Sequence, residues 1–283
     1  MRLHLVDGTY ELFRAHYSKR PARPRKAIVG LIDSLLTLVT DADERLTHVA
    51  VAFDNPIRSF RNDLFDGYKT EEGVEAELLA QFDGAEAATR ALGMTAWPMD
   101  RFEADDALAT AAARFAGAVE QVRILTPDKD LGQCIRGQSV VQVDRMRRRV
   151  IDEPALTALR GIGPESIPDW LALVGDVADG VPGLPGFGEK SAAALLAAFV
   201  RLEDVPDDFR RWPKAVRGAE RLAATLAARR DDALLYRTLT RLRTDVPLAE
   251  TLDQLAWRGV GAGFDAWCTE LDADHLRRRA ASL

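Results

Sequence analysis

QVRILTPDKD, residues 121–130, is the stretch that decides the fold. Gln121 to Leu125 is a short apolar run of strand length, and it ends in Thr126-Pro127-Asp128, where the proline stops the strand and a carboxylate follows. The same arrangement occurs twice upstream. Leu3 to Val6 ends in Asp7-Gly8, and Val49 to Phe53 ends at Asp54. Between these runs, Ala27 to Val39 has helical apolar spacing, and Ala104 to Ala118 is alanine-rich and helical. Strands alternating with helices predict an α/β fold, a parallel sheet flanked by helices on both faces. In such sheets ligands bind beyond the carboxyl ends of the strands, which is where Asp7, Asp54 and Asp128 fall.

Downstream, Ser139 to Ile151 reads as two short strands around an Arg-rich turn. Beyond about Gly161 helices dominate, interrupted by GDVADGVPGLPGFGEK at residues 175–190. The change of texture predicts an N-terminal α/β domain over residues 1–163 and a C-terminal helical region over 164–283. No internal repeat or low-complexity segment stands out.

Composition narrows the chemistry. The chain has 283 residues, 47% of them apolar, enough for a packed core. Its longest apolar runs, such as Ala192 to Val200, are far short of the roughly 20 residues that cross a bilayer. The opening MRLHLVDGTYELF places a carboxylate in its apolar stretch at once, unlike a signal peptide, so a soluble cytoplasmic protein is expected. Cys134 and Cys268 lack CxxC spacing, and His4, His16, His48 and His275 form no ligand-spaced group, so a metal here needs oxygen ligands. Oxygen donors point to Mg²⁺ or Mn²⁺ rather than zinc.

Four motifs carry carboxylates or glycines in patterns that suit phosphate chemistry. In Glu103-Ala104-Asp105-Asp106, three carboxylates in four residues repel one another unless cations or water neutralise them; they also suit an acidic helix start with a cap. In Thr126-Pro127-Asp128-Lys129-Asp130, the two aspartates point the same way in extended chain, although a turn is as good a reading. In Gly175-Asp176-Val177-Ala178-Asp179-Gly180, an i, i+3 pair shares one face of a helical turn and reaches a single metal, or else marks a helix end or a turn. The glycines from Gly183 to Gly188, leading into Glu189-Lys190-Ser191 and an alanine-leucine helix, permit left-handed backbone and expose helix N–H groups. That combination makes a phosphate cradle or a packing turn.

The ordered set LVDG, FDNPIRSFRNDLFDGYK, EADD, TPDKDLGQ and GDVADGVPGLPGFGEKSAAALL resembles the 5′-nuclease family from Leu3 to at least Pro247, where LRTDVPLAE also fits its bacterial branch. That family includes the 5′–3′ exonuclease domain of bacterial DNA polymerase I, stand-alone bacterial exonucleases, phage homologues and flap endonucleases. The resemblance implies a resolvase-like (PIN-like) core and, at about residues 168–200, a helix-hairpin-helix in a DNA-binding C-terminal region. It implies metal ligation by Asp7, Asp54, Glu103, Asp105, Asp106, Asp128, Asp130, Asp176 and Asp179, the earlier ones around one metal cluster and the later ones supporting a second. Arg14, Arg61 and Lys69 fall at phosphate-contacting positions, with Lys69 and Arg61 assisting the reaction. Gly183, Gly186 and Gly188 match the duplex-backbone and K⁺ site, flanked by Lys190.

The formal charge of −6 argues against a DNA binder, but without those nine carboxylates it becomes +3. Basic residues then stand out in residues 19–26, beginning at Lys19, and in Arg145 to Arg149. The expected activity is Mg²⁺-dependent (or Mn²⁺-dependent) 5′–3′ exonuclease and flap endonuclease action on DNA in replication and repair. It uses two or more ions in a monomeric, nucleoid-associated bacterial enzyme, with flaps, nicks or RNA-primed ends as partners. A PIN-type ribonuclease and a non-catalytic junction binder are the alternatives. Two departures bear on substrate choice. Thr70-Glu71-Glu72-Gly73 is acidic where relatives are more basic, in the region of the arch that admits a 5′ strand. Val177, Ala178 and Gly180 replace polar residues beside the two aspartates. The chain ends soon after the nuclease region, which predicts a stand-alone enzyme.

Overall fold

The computed structural model describes residues 1–19, 21 and 23–283. Arg20, part of the basic run at 19–26, lies outside the described residues. Backbone contacts divide the chain into two compact units: 1–59, 71–126 and 244–283 form the first, and 60–70 with 127–243 form the second.

Four strands lie in the first unit: β1 (Arg2–Asp7), β2 (His48–Asp54), β3 (Thr95–Met99) and β4 (Gln121–Leu125). Their spatial order is β3-β2-β1-β4, every neighbouring pair parallel, with Asp7 opposite Ala52 and Val6 opposite Leu125. Parallel strands covered on both faces are apolar throughout, and β2 is buried at every position. The alanine-rich helix Ala104–Phe115 packs across all four strands. Its small side chains allow that close approach, and they are buried from Ala107 to Ala112. Strand β3 has no announcement in the sequence. Its Pro98 reads as a strand breaker, tolerated because β3 stands at the end of this order.

The second unit contains β5 (Val140–Asp144) and β6 (Arg149–Ile151), an antiparallel pair around the Arg-rich turn, as expected. Helices follow, packed on a core that includes Trp170, Leu171, Leu195, Leu226 and Tyr236. Helix Ile167–Val174, the glycine-rich connection and helix Glu189–Phe199 make a helix-hairpin-helix. Its connection is pinned where Leu184 N–H donates to the Leu173 carbonyl at 2.8 Å. Cys134 and Cys268 are free thiols. No helix among the described residues is long and apolar enough to cross a membrane.

Candidate metal centre

In the second unit the chain leaves β4 through Pro127 and turns at once. Asp128 caps the 3-10 turn Lys129–Cys134 by accepting the Asp130 N–H at 2.9 Å. That turn sends Asp130 inward, where it is 4% exposed, while Asp128 stays exposed. So Asp128 and Asp130 are not two side chains on one face of an extended segment. The turn separates them, and only Asp130 enters the cluster that follows.

Asp176 and Asp179 reach the same place from the other direction. Asp176 and Val181 exchange both backbone hydrogen bonds at 2.8 Å, closing a tight turn over 177–180. The pair was expected on one helical turn; it sits on a non-helical one. The physical reason lies in Gly175 and Gly180, at φ +89° and +74°, and in Asp176 Oδ1, which accepts the Ala178 N–H at 3.1 Å and competes with helical pairing. Gly180 is needed twice over, since a Cβ there would stand 2.1 Å from the Gly67 carbonyl oxygen. This close approach lets Lys69 N–H donate to the Asp179 carbonyl at 3.1 Å and brings the Lys69 ammonium 3.0 Å from Asp179 Oδ1.

Asp130, Asp176 and Asp179 thus present carboxylate oxygens within 4.8 Å of one another. At that separation each pair of charges repels by roughly 3 kcal/mol in a medium of effective dielectric about 20. Burial, reinforced by Asp128, Asp179 and Asp176, pushes the Asp130 carboxyl well above the usual carboxylate range. Two ammonium groups offset the charge, Lys69 on Asp179 and Lys129 on Asp176. Burial alone would lower the Lys129 ammonium, but the Asp176 hydrogen bond and the surrounding aspartates raise it. Asp130 Oδ1 remains a buried acceptor with no hydrogen-bond partner among the described residues. Three oxygen donors, two already drawing cations and one unsatisfied, fit a hard divalent cation such as Mg²⁺ or Mn²⁺.

The first unit treats its carboxylates differently. Asp7 caps helix Gly8–His16 by accepting the Tyr10 N–H at 2.8 Å, and its second oxygen accepts the Thr126 hydroxyl at 2.9 Å. Asp54 accepts the Ala104 N–H at 2.6 Å, and Glu103 accepts the Ser59 hydroxyl at 2.7 Å. Asp106 reaches back to the Glu103 N–H at 3.0 Å, closing a capping box, so the acidic helix start is both cap and carboxylate cluster. Asp7, Asp54, Glu103 and Asp106 are buried, and Asp105 is half-buried.

The basic residues separate into anchored and open ones. Arg61 is 1% exposed, donating to the Leu239 carbonyl at 2.6 Å and the Arg241 carbonyl at 3.2 Å, with its guanidinium over the Phe60 ring. Arg14 is half-buried, paired with Glu11 and donating to the Ser34 hydroxyl at 3.1 Å. Lys19 and Lys190 are exposed. In the hairpin, Gly183 is at φ +69° and a Cβ there would meet Gly175 N at 2.5 Å; Gly186 is at φ +86°. Gly188 precedes helix Glu189–Phe199 in open space, its N–H donating to the Ser191 hydroxyl at 3.0 Å. Three polar residues had no sequence-assigned role: Ser59 and Thr126, which orient carboxylates, and Lys129, which meets Asp176. Thr126 and Lys129 lie inside TPDKD, so the motif itself was the available signal.

Residues 2–159 match the model of the 5′-3′ exonuclease N-terminal resolvase-like domain, and residues 162–262 match that of the 5′-3′ exonuclease C-terminal SAM fold. The chain belongs to the 5′-3′ exonuclease family. It is 37% identical over 265 residues to DNA polymerase I of Rhizobium leguminosarum, a match covering 89% of this chain and 26% of that protein. It is 29% identical over 252 residues to a 5′-3′ exonuclease of Aquifex aeolicus, covering 87% and 83%. The chain therefore spans about a quarter of the DNA polymerase I relatives it matches. The T5 D15 protein, co-crystallised with metal ions, shares the fold at a TM-score of 0.65 and 16% identity, over 100% of this chain and 98% of that one. Human GEN1, in complex with Holliday junction DNA, shares it at 0.65 and 14%, over 96% and 67%.

Proposed function

We propose that this chain is a divalent-metal-dependent 5′–3′ exonuclease that also cuts 5′ flaps in DNA, serving replication and repair in the bacterial cytoplasm. The observation that carries the reading is the Asp130, Asp176 and Asp179 trio, with its unsatisfied buried oxygen, in a chain of the 5′-3′ exonuclease family. Those three residues, with Asp128 nearby, would hold one Mg²⁺ or Mn²⁺; Asp7, Asp54, Glu103, Asp105 and Asp106 would serve another. When bound, such ions supply an activated water and neutralise charge on the phosphoryl and leaving oxygens.

The chain's own residues do the rest. The Lys69 ammonium, released from Asp179 once that carboxylate has another cation, offers positive charge to the phosphate being cut. Arg61, tied to two carbonyls, holds the 60–70 segment that carries Lys69 and keeps its charge beneath it. Thr126 and Ser59 keep Asp7 and Glu103 in their ligating orientation. The hairpin glycines and Lys190 take the duplex backbone, with K⁺ at the hairpin, and Arg14 and Lys19 take further phosphates. On this reading residues 1–163 are the nuclease domain and 164–283 the DNA-binding region, in a monomer acting on flaps, nicks or RNA-primed ends.

The test is cleavage of a labelled 5′-flap DNA beside nicked, blunt and single-stranded controls and a matched RNA flap. Products released from the 5′ side only when Mg²⁺ or Mn²⁺ is present are expected. Preference for the RNA flap would make the chain a PIN-type ribonuclease, and DNA binding without product at any metal concentration would make it a junction binder.

A further inference from the structure

The Arg-rich turn between β5 and β6 has no part in the metal chemistry, yet it borders a cleft of about 140 Å³ in the second unit. Four cations line that cleft: Lys129, Arg147, Arg149 and Arg160. Arg147 is paired with Asp144, which also accepts its backbone N–H at 3.0 Å and so stiffens the turn. Lys129 is paired with Asp176 of the trio. Arg149 and Arg160 have no carboxylate partner among the described residues.

Arg160 is nevertheless held in place. Its guanidinium lies 5.0 Å from the ring centroid of Trp170, and that ring is itself buried and donates to the Glu189 carbonyl at 3.2 Å. A guanidinium fixed on an aromatic face and left without an anion is pre-organised for a phosphate, which it meets with a rigid fork of donors. The lining also includes the buried apolar side chains of Ile151 and Leu156 and one carboxylate, Asp144, which Arg147 neutralises. Cations beside apolar side chains suit a sugar-phosphate strand better than a free, fully hydrated anion.

We infer that this cleft is a second phosphate site, in which Arg149 and Arg160 grip a backbone phosphate of the nucleic-acid strand. Lys129 belongs to both places, lining the cleft while touching Asp176. The gripped phosphate therefore lies within a few nucleotides of the bond held at the trio. The inference rests on the reading that the chain binds DNA.

The test is the salt dependence of DNA binding, measured without divalent metal so that no cleavage intervenes. Each phosphate contact contributes a slope of about −0.9 on duplex or about −0.7 on single strand in a plot of log K against log salt. Arg149→Gln should reduce the magnitude of the slope by part of one such contact, and the double variant with Arg160→Gln by about one whole contact, with roughly tenfold weaker binding at moderate salt. Arg149→Lys, which keeps the charge, should restore most of the slope. Arg149 is exposed and unpaired, so its single variant decides the matter even where loss of the Trp170 stack destabilises the double one. An unchanged slope in Arg149→Gln overturns the inference while leaving the nuclease reading intact. A wild-type protein that binds no DNA overturns both. Saturable inorganic-phosphate binding that vanishes in the variants, with the DNA slope unchanged, would assign the cleft to a small anion and also overturn it.

Discussion

In the first unit Asp7, Asp54 and Glu103 each accept a neutral protein donor: the Thr126 hydroxyl, the Ala104 N–H and the Ser59 hydroxyl. In the second unit Asp176 and Asp179 face ammonium groups, and Asp130 Oδ1 faces no donor among the described residues. A neutral donor aims a carboxylate but leaves its charge in place. An ammonium cancels charge and can swing away on its flexible stem. The hydroxyl and amide donors of the first unit therefore fix geometry, and in the second unit the unsatisfied Asp130 oxygen marks a demand for positive charge.

The largest expected effect breaks this comparison at its charged end. Asp130→Ala or Asp176→Ala should lower kcat on a 5′-flap by at least about 10³-fold with the fold retained by circular dichroism; near-normal turnover in both would remove the metal centre from the mechanism. Lys69→Ala should lower kcat by about 10²–10³-fold, as expected for a charge acting at the phosphate. If it acts only by neutralising Asp179, the loss will appear in the metal dependence instead.

At the neutral end the effects should be smaller and of another kind. Thr126→Val and Ser59→Ala should raise the Mg²⁺ concentration for half-maximal activity by about 10–100-fold and recover most of their rate at saturating metal. A lost kcat that no metal restores would mean these hydroxyls do more than orient carboxylates.

Stability gives a further contrast. Asp130 has a folded pKa above its ordinary value, so the folded state holds its proton longer than the unfolded one. Its contribution therefore becomes less favourable as pH rises from about 4 toward the raised value. Asp130→Asn should remove that dependence and raise the metal-free Tm at neutral pH, by about 2–4 °C for each kcal/mol relieved. Glu44 has the opposite sign. Burial alone would raise it, but hydrogen bonds from His4 and Arg123 hold it down at about 2. It stabilises the fold above its ordinary value and loses this as pH falls from about 4.5 toward about 2. Glu44→Gln should cost about 2 kcal/mol at neutral pH, flatten acid unfolding and leave cleavage untouched.

Much of this was legible beforehand. The carboxylates after β1, β2 and β4 were readable because a buried parallel strand is a continuous apolar run, and the residue that ends it stands out. Strand β3 was hidden by Pro98, and the orienting roles of Ser59 and Thr126 were hidden because a hydroxyl's partner lies far away in sequence. The helical reading of Asp176 and Asp179 failed because spacing carries no φ angle. The positive φ of Gly175 and Gly180, and the Gly67 carbonyl beside the latter, are set by packing.

By itself, then, the sequence determined the alternation of strand and helix, the carboxylate-rich motifs and their order in the family, since these depend on local periodicity and residue type. Tertiary structure decided which carboxylates meet. It turned Asp128 outward and Asp130 inward, brought Lys69 and Lys129 onto the trio, and returned residues 244–283 to the first unit. Those outcomes depend on contacts between segments distant in sequence, and no local pattern encodes a distance.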